Sequence, residues 1–268
     1  MVQYIHPNKK GGYSPMETIL VFDTETTSID KPFAYDVGYK ILTRNFETLE
    51  SKHFVIAQIW HNLPLFSTAY YAEKRPLYVL SMRKHEAVMT KWGYMVSEMI
   101  RDIKKHNVVA AYAFNSTFDD RVFAHNCEWF KTRNPFDTVP IYDIWGYSSQ
   151  FITNTQTYRD FAEANQCFTE SGNISGNAEN LYRFMTANPD FEEAHQGLQD
   201  VEIEAEILRE CIKRGAEWDT EYKVVQKIPR EIEHPYAIKV NGKIIHEGKY
   251  TKKYVRKDVY SFTEEIVE

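Results

Sequence analysis

The sequence predicts an α/β protein, a mixed sheet with helices on its faces. Two observations carry this. Three strand-like runs precede the first long helical pattern. After that helix the chain alternates strand, helix, strand, helix, the order that lays helices over a sheet.

The elements follow in order. Residues 17–23 read as a buried strand, 35–43 and about 52–59 as two more, with Arg44–Glu50 as the turn between them. Trp92, Met95, Val96, Met99, Ile100 and Ile103 recur at helical spacing, opposite Glu98, Arg101, Asp102, Lys104 and Lys105. Lys105-His106-Asn107 ends that helix. Val108 to Phe114 is a continuous apolar strand, and a helix runs from Asp119 to about Phe130. Val139 to Trp145 reads as a further strand. A polar loop at 171–180 leads to a short helix, Leu181 to Ala187, stopped by Asn188-Pro189. Val201, Ala205, Leu208 and Ile212 form the buried stripe of a last helix, ended by Gly215. Beyond it, Tyr236 to Val240, Asn241-Gly242 and Lys243 to Glu247 signal a hairpin with a type I′ turn. The expected organisation is a main domain at 1–215 and a small β-containing extension at 216–268. No internal repeat is visible.

Composition narrows the classes. The chain has 268 residues, 43% hydrophobic and 15% aromatic, enough for a proper core. Its apolar runs are far too short to cross a bilayer, so no membrane partner is expected. Met1 to Tyr13 hold no apolar stretch of the kind a signal peptide needs. Cys127, Cys167 and Cys211 are far apart and odd in number, which suits a reducing, cytoplasmic setting. The net charge of −6 is unevenly spread. Residues 221–258 hold ten Lys/Arg against five Asp/Glu, while residues 1–220 are acidic. A basic segment behind an acidic body is either a solvated surface or an arm that tracks phosphates.

The chemistry lies in short acidic fragments. Asp23 and Glu25 end the first strand, two residues apart, so in extended backbone they point to one side. Carboxylates so placed repel and pay a desolvation cost unless a cation meets them. Asp119 and Asp200 complete an oxygen-rich set suited to Mg²⁺ or Mn²⁺, and His195 adds a group that titrates near neutrality. This equips a site for metal-assisted phosphodiester hydrolysis. Singly, each fragment has a plainer reading. Asp23/Glu25 could be a turn or capping pair, Asn115…Asp119 a helix cap, and His195…Asp200 a loop histidine with a surface acid. Asp-x-Glu recurs at Asp190, Asp200 and Asp219, but only the Asp23 copy ends an apolar strand. The ordered combination outweighs the plainer readings.

With those motifs, Phe22-Asp23-Thr24-Glu25-Thr26-Thr27, Asn115-Ser-Thr-Phe118-Asp119 and His195-Gln-Gly-Leu-Gln-Asp200, the chain resembles the DnaQ-like 3′→5′ exonucleases of the DEDDh branch. The resemblance covers about 17–212. It implies an RNase H-like fold with a five-stranded mixed sheet between helices. Two departures are Ser28, where Gly is usual, and Gly197, where Ala is common. The sister branch carries Tyr four residues before the last acid; Gln196 stands there.

The resemblance implies a role for each residue. Asp23, Glu25, Asp119 and Asp200 hold two metal ions, and His195 is the general base. A mobile His195 loop would suit a base that engages only with substrate. Thr24, Thr26, Ile29, Asn115 and Phe118 lie near the terminal nucleotide. Asp120 is the register alternative to Asp119, and Asp143 a weaker spare. The expected reaction releases nucleoside monophosphates from single-stranded DNA 3′ ends. The alternatives are an RNA-trimming exoribonuclease of the same fold and a non-catalytic nucleic-acid-binding module. A replication or repair protein is the partner considered for the C-terminal extension.

Overall fold

A computed structural model describes residues 5–7, 13–15, 17–170, 172–224, 231–240, 243–255 and 259–265, with side chains at 17–170 and 172–224. A short two-stranded ladder, β1 (Ile5–Pro7) and β2 (Tyr13–Pro15), precedes the main sheet. The sheet is built from β3 (Thr18–Thr26), β4 (Ala34–Thr43), β5 (Thr48–Ile56), β6 (Val88–Thr90), β7 (Val108–Ala113) and β8 (Ile141–Asp143). Its strand order is β6-β5-β4-β3-β7-β8. β4 runs antiparallel to both neighbours, and every other pair is parallel.

The first strand shows why the sheet has two covered faces. β3 is apolar at consecutive positions because both of its sides are buried. Leu20 and Phe22 join one core with Trp92, Met95 and Met99 of α4 (Trp92–His106) and with Val122 and Phe123 of α5 (Ser116–Phe130). Ile19 and Val21 join the other, with Val201, Ile207 and Leu208 of α9 (Gly197–Lys213). Period 2 therefore sends Asp23 and Glu25 toward the α9 side.

Several boundaries differ from the sequence reading. β5 stops at Ile56, where the chain turns into α1 (Ala57–Trp60). α2 (Leu63–Phe66), a 3₁₀ turn at Ala72–Lys74 and α3 (Arg75–Arg83) fill a stretch to which no element was assigned. Four-residue helices span one turn and leave no periodicity to detect. The short β6 adds a sixth strand at the sheet's edge. β8 is three residues long because Asp143 caps α6 (Ile144–Ser148), its side chain accepting from Trp145 N. A π-helical turn at Ser149–Thr153 and α7 (Gln156–Ala164) follow, then α8 (Ala178–Thr186). α5 starts at Ser116, three residues before the expected start.

Past Gly215, Ala216, Trp218 and Tyr222 still pack on the second core. β9 (Glu231–Val240), β10 (Lys243–Val255) and β11 (Val259–Glu265) form a separate antiparallel sheet. Val240 pairs with Lys243 across a two-residue connection, as the hairpin signal requires. Asn241-Gly242, and so the turn type, lie outside the described residues, as do the side chains of the basic segment from residue 225 onward.

One close approach positions the site. A Cβ at Gly38 of β4 would stand 2.2 Å from the Gly197 carbonyl carbon. The start of α9 thus rests directly on the strand backbone. A Cβ at Gly197 would stand 2.9 Å from Gly38 N and 3.3 Å from Asp23 O, which explains glycine there.

Candidate active site

Three element ends converge. The end of β3 supplies Asp23, half-buried, with Glu25 beyond it. The first turn of α5 supplies Asp119, which is buried and accepts a 2.6 Å hydrogen bond from Thr24 Oγ1. The first turn of α9 supplies Asp200, also buried. Ligand atoms of Glu25, His195 and Asp200 all lie within 4.8 Å of one another.

The α5 entry is a backbone device. Asn115 sits in the left-handed region, which Asn tolerates, and makes no side-chain cap. Capping comes instead from Asp143, whose Oδ1 accepts from Asn115 N at 2.9 Å and Ser116 N at 3.4 Å. The same oxygen caps α6 through Trp145 N at 3.0 Å. Asp143 therefore joins two helix starts behind the site.

Seven carboxyls here are raised above their usual range; besides the five that follow, burial and Glu179 push Glu193 up to about 7, and burial raises Asp143. Burial, then Glu204, Asp119, Asp200 and Glu25, pushes Asp23 well above the usual carboxylate range. Burial, then Asp36 and Glu193, pushes Glu25 up to about 8. Asp119 rises to about 7 through burial, against the Thr24 hydrogen bond. Asp200 rises through burial, then Glu193 and Glu25. Glu204 rises through burial, then Asp119 and Asp200. Lys74 is the cation that pulls Glu25 and Asp200 the other way. Asp200 Oδ1 is buried without a hydrogen-bond partner among the described residues. Hard oxygen donors, mutual repulsion and an unpaired buried oxygen together fit a divalent cation.

Glu204 escaped the sequence reading. It lies one turn beyond Asp200, is buried, and accepts from Phe114 N at 3.3 Å. Its signal was present: buried Val201, Glu204, Ile207, Leu208 and Cys211 mark a stripe rotated from the expected one, with an acid on it.

His195 sits at φ 52°, in a segment held by several hydrogen bonds. Tyr78 Oη donates to His195 O at 3.1 Å. Lys74 Nζ donates to Ala194 O at 2.9 Å and Glu193 O at 3.4 Å. Gly197 N donates to Asp36 Oδ2 at 2.8 Å, and Asp36 Oδ1 lies 2.7 Å from His53 Nε2. Burial and the neighbouring Lys74 hold the His195 pKa below its usual value, so the imidazole is neutral near pH 7.

The remaining residues are spread around this centre. Thr24 is buried, with its hydroxyl committed to Asp119. Thr26 Oγ1 donates to Ser28 O at 3.2 Å. Ile29 is 73% exposed, and its carbonyl accepts from Arg121 at 3.0 Å. Asn115 is exposed. Phe118 is half-buried against the first core, with the Arg121 guanidinium over its ring at 5.4 Å. Asp120 is exposed. Among the described residues, no helix is long and apolar enough to cross a membrane.

No family model and no curated protein matches the sequence. Solved structures do match. The nuclease domain of 3′hExo, a DEDDh family member bound to rAMP, aligns over 79% of this chain and 97% of its own, with 12% identity and a TM-score of 0.51. Exonuclease I in complex with the inhibitor BCBP aligns over 75% of this chain and 42% of its own, with 12% identity and a TM-score of 0.52. E. coli Exonuclease I with a 5cy-dT13 oligonucleotide gives 75%, 41%, 13% and 0.51. The chain thus spans about two fifths of the exonuclease I chains it matches. At these identities the likeness establishes the fold alone, an α/β fold shared with the nuclease domain of 3′hExo and with part of exonuclease I.

Proposed function

We propose that this chain is a metal-dependent 3′→5′ exonuclease that releases nucleoside monophosphates from single-stranded DNA ends. One observation carries the reading: on this fold, Asp23, Glu25, Asp119 and Asp200 come together as buried or half-buried acids whose pKa values are all raised, with Asp119, Asp200 and Glu25 each adding to the repulsion on Asp23. Those four side chains would hold two Mg²⁺ or Mn²⁺ ions. When bound, the ions lower the pKa of a water and stabilise charge on the phosphate oxygens.

The protein's own groups do the rest. Thr24 orients Asp119 through its hydroxyl. His195, neutral at physiological pH, accepts the proton of the attacking water at an imidazole nitrogen. Ile29, exposed just beyond the β3 end, offers an apolar wedge for the terminal base, and Asn115 at the α5 N-cap and Phe118 in its first turn are the further nucleotide contacts. Thr26 stands at the same strand end.

The test is digestion of 3′-labelled and 5′-labelled single-stranded DNA with Mg²⁺, with and without chelator. Release of labelled mononucleotide from the 3′ label at the earliest times, abolished by chelator, is expected. Early release from the 5′ label, or activity indifferent to chelator, would overturn the reading. The matched structures include one with a ribonucleotide and one with a deoxyoligonucleotide, so matched DNA and RNA oligomers belong in the same assay.

The basic segment 221–258 is proposed to hold the nucleic-acid strand or a replication or repair protein rather than to do chemistry. Neutralising Lys252, Lys253, Arg256 and Lys257 should raise KM on long strands and flatten its salt dependence. Turnover of a nitrophenyl phosphodiester should survive. An unchanged salt slope would reduce the segment to a solvated surface.

A further inference from the structure

We infer that Tyr71 is the positioning residue of His195: its ring, rather than a hydrogen bond, sets the plane of the imidazole. The inference rests on the exonuclease reading of the site. A general base is useful only when its nitrogen lies within hydrogen-bond reach of the proton it takes. A histidine side chain has two rotatable bonds, so something must hold the ring. The usual holder is a carboxylate or carbonyl on the second ring nitrogen. Here the acid on that side is Glu193, and its Oε2 lies 3.9 Å from Nδ1, beyond hydrogen-bond range. Among the described residues no hydrogen bond to the imidazole takes its place.

Stacking does. The Tyr71 and His195 rings lie 3.9 Å apart, centroid to centroid, and 12° from parallel. At that separation, rotation of the imidazole about its long axis drives its edge into the tyrosine face. Both ring nitrogens are therefore confined to one plane.

Tyr71 is itself fixed. It stands at the entry to the 3₁₀ turn at Ala72–Lys74, with Tyr70 edge-on at 4.8 Å and the Lys74 ammonium 5.1 Å from its ring centroid. Lys74 also grips the carbonyls of Glu193 and Ala194, so one short turn holds both the ring and the backbone that carries His195. The clamp belongs to the segment between β5 and β6, far in sequence from all four acids.

The test uses the full chain with Mn²⁺ and a short single-stranded oligomer. Tyr71→Phe keeps the ring, Tyr71→Leu keeps bulk without a stacking face, and Tyr71→Ala removes both. Tyr71→Leu and Tyr71→Ala should lower kcat by roughly 10–100-fold, the scale of misplacing a catalytic group by about 1 Å. KM should stay nearly constant, and Tyr71→Phe should restore turnover. In a His195→Ala background, Tyr71→Leu should cost nothing more, because the two side chains act as one unit. Independently of turnover, the ring protons of His195, assigned by their loss in His195→Ala, should show an upfield ring-current shift. Tyr71→Phe should retain it and Tyr71→Leu abolish it. Absence of that shift in the wild-type protein, an equal loss of kcat in the His195→Ala background, or a Tyr71→Phe as slow as Tyr71→Leu would overturn the assignment. Should the wild-type protein fail to shorten 3′ ends, the exonuclease reading falls, and the ring-current comparison alone decides whether Tyr71 orients His195.

Discussion

Buried acids occur in two regions of this molecule, and they are treated in opposite ways. Asp102, on the inner side of α4, meets Lys52 Nζ at 2.5 Å and accepts from Tyr39 Oη at 2.8 Å. Against the desolvation of burial, those partners hold its carboxyl below the usual range. Asp36 stands between the two regions: it accepts from the Gly197 amide and lies 2.7 Å from His53 Nε2, yet its charge also raises Glu25 and Asp200. At the meeting of β3, α5 and α9 the acids have mainly one another. Burial raises Asp23, Glu25, Asp119, Glu193, Asp200 and Glu204 together, and repulsion within the group adds to it for Asp23, Glu25, Asp200 and Glu204. A paired buried acid contributes to the fold, whereas a cluster of unpaired ones costs stability and persists where a ligand uses it. The contrast locates the site independently of any motif.

The largest expected effect comes from removing a member of the unpaired group. Asp23→Ala or Asp200→Ala should abolish release of nucleotide from a 3′-labelled oligomer. In chelator the same variants should melt no lower than the wild type and, with one buried acid of raised pKa gone, a few degrees higher near neutral pH. Each kcal/mol is worth about 2–4 °C in a protein near this size. Near-normal turnover in Mg²⁺ by either variant would break the comparison on the functional side.

The paired group should answer in the reverse sense. Asp102→Asn leaves Lys52 and Tyr39 without their shared partner, which should cost about 2–4 kcal/mol in a denaturant titration. The folded variant should hydrolyse substrate at the wild-type rate. An unchanged denaturation midpoint would show that the pairing adds no stability.

A smaller effect is a pH dependence. In the metal-free protein the clustered acids have folded pKa values above their unfolded ones, with Asp119 near 7 and Glu25 near 8. Below about pH 4 both states are protonated and the cluster costs nothing. Between about pH 4 and 8 the unfolded chain releases protons that the folded one retains, so stability falls as pH rises. His53 adds to the same trend. Burial lowers its pKa, Asp36 more than compensates, and the stabilisation is lost as pH rises through the raised value. Thermal midpoints in chelator should therefore decline from pH 5 to pH 8, and Mn²⁺ should flatten the decline. Midpoints that climb over that range in chelator would contradict the cluster's electrostatics.

Much of this was legible in the sequence, for reasons specific to particular residues. The β3 run, buried on both sides, ends in two acids at strand spacing, so local pattern alone placed Asp23 and Glu25. Asp119 could be read because it follows the apolar β7 at the start of a helix, and Asp200 because it opens the last one. The Asp36–His53 pair could not, since it depends on the β4–β5 register that sets Gly38 opposite His53. Tyr71 was hidden in a run of short helices without a periodic stripe. Glu204 was hidden by a stripe drawn through Ala205 and Ile212, which are only partly buried, in place of Ile207 and Cys211.

The most direct test of the contrast between the two regions is calorimetric titration of Mn²⁺ into chelator-treated, dialysed protein at pH 8. Wild type, Asp23→Asn and Asp102→Asn should be run side by side, because each variant removes one buried charge at nearly constant volume. Binding is expected in the wild type and in Asp102→Asn, and its loss or severe weakening in Asp23→Asn. Equal binding by all three proteins, or no binding by the wild type, would contradict the assignment of the unpaired acids to a metal site.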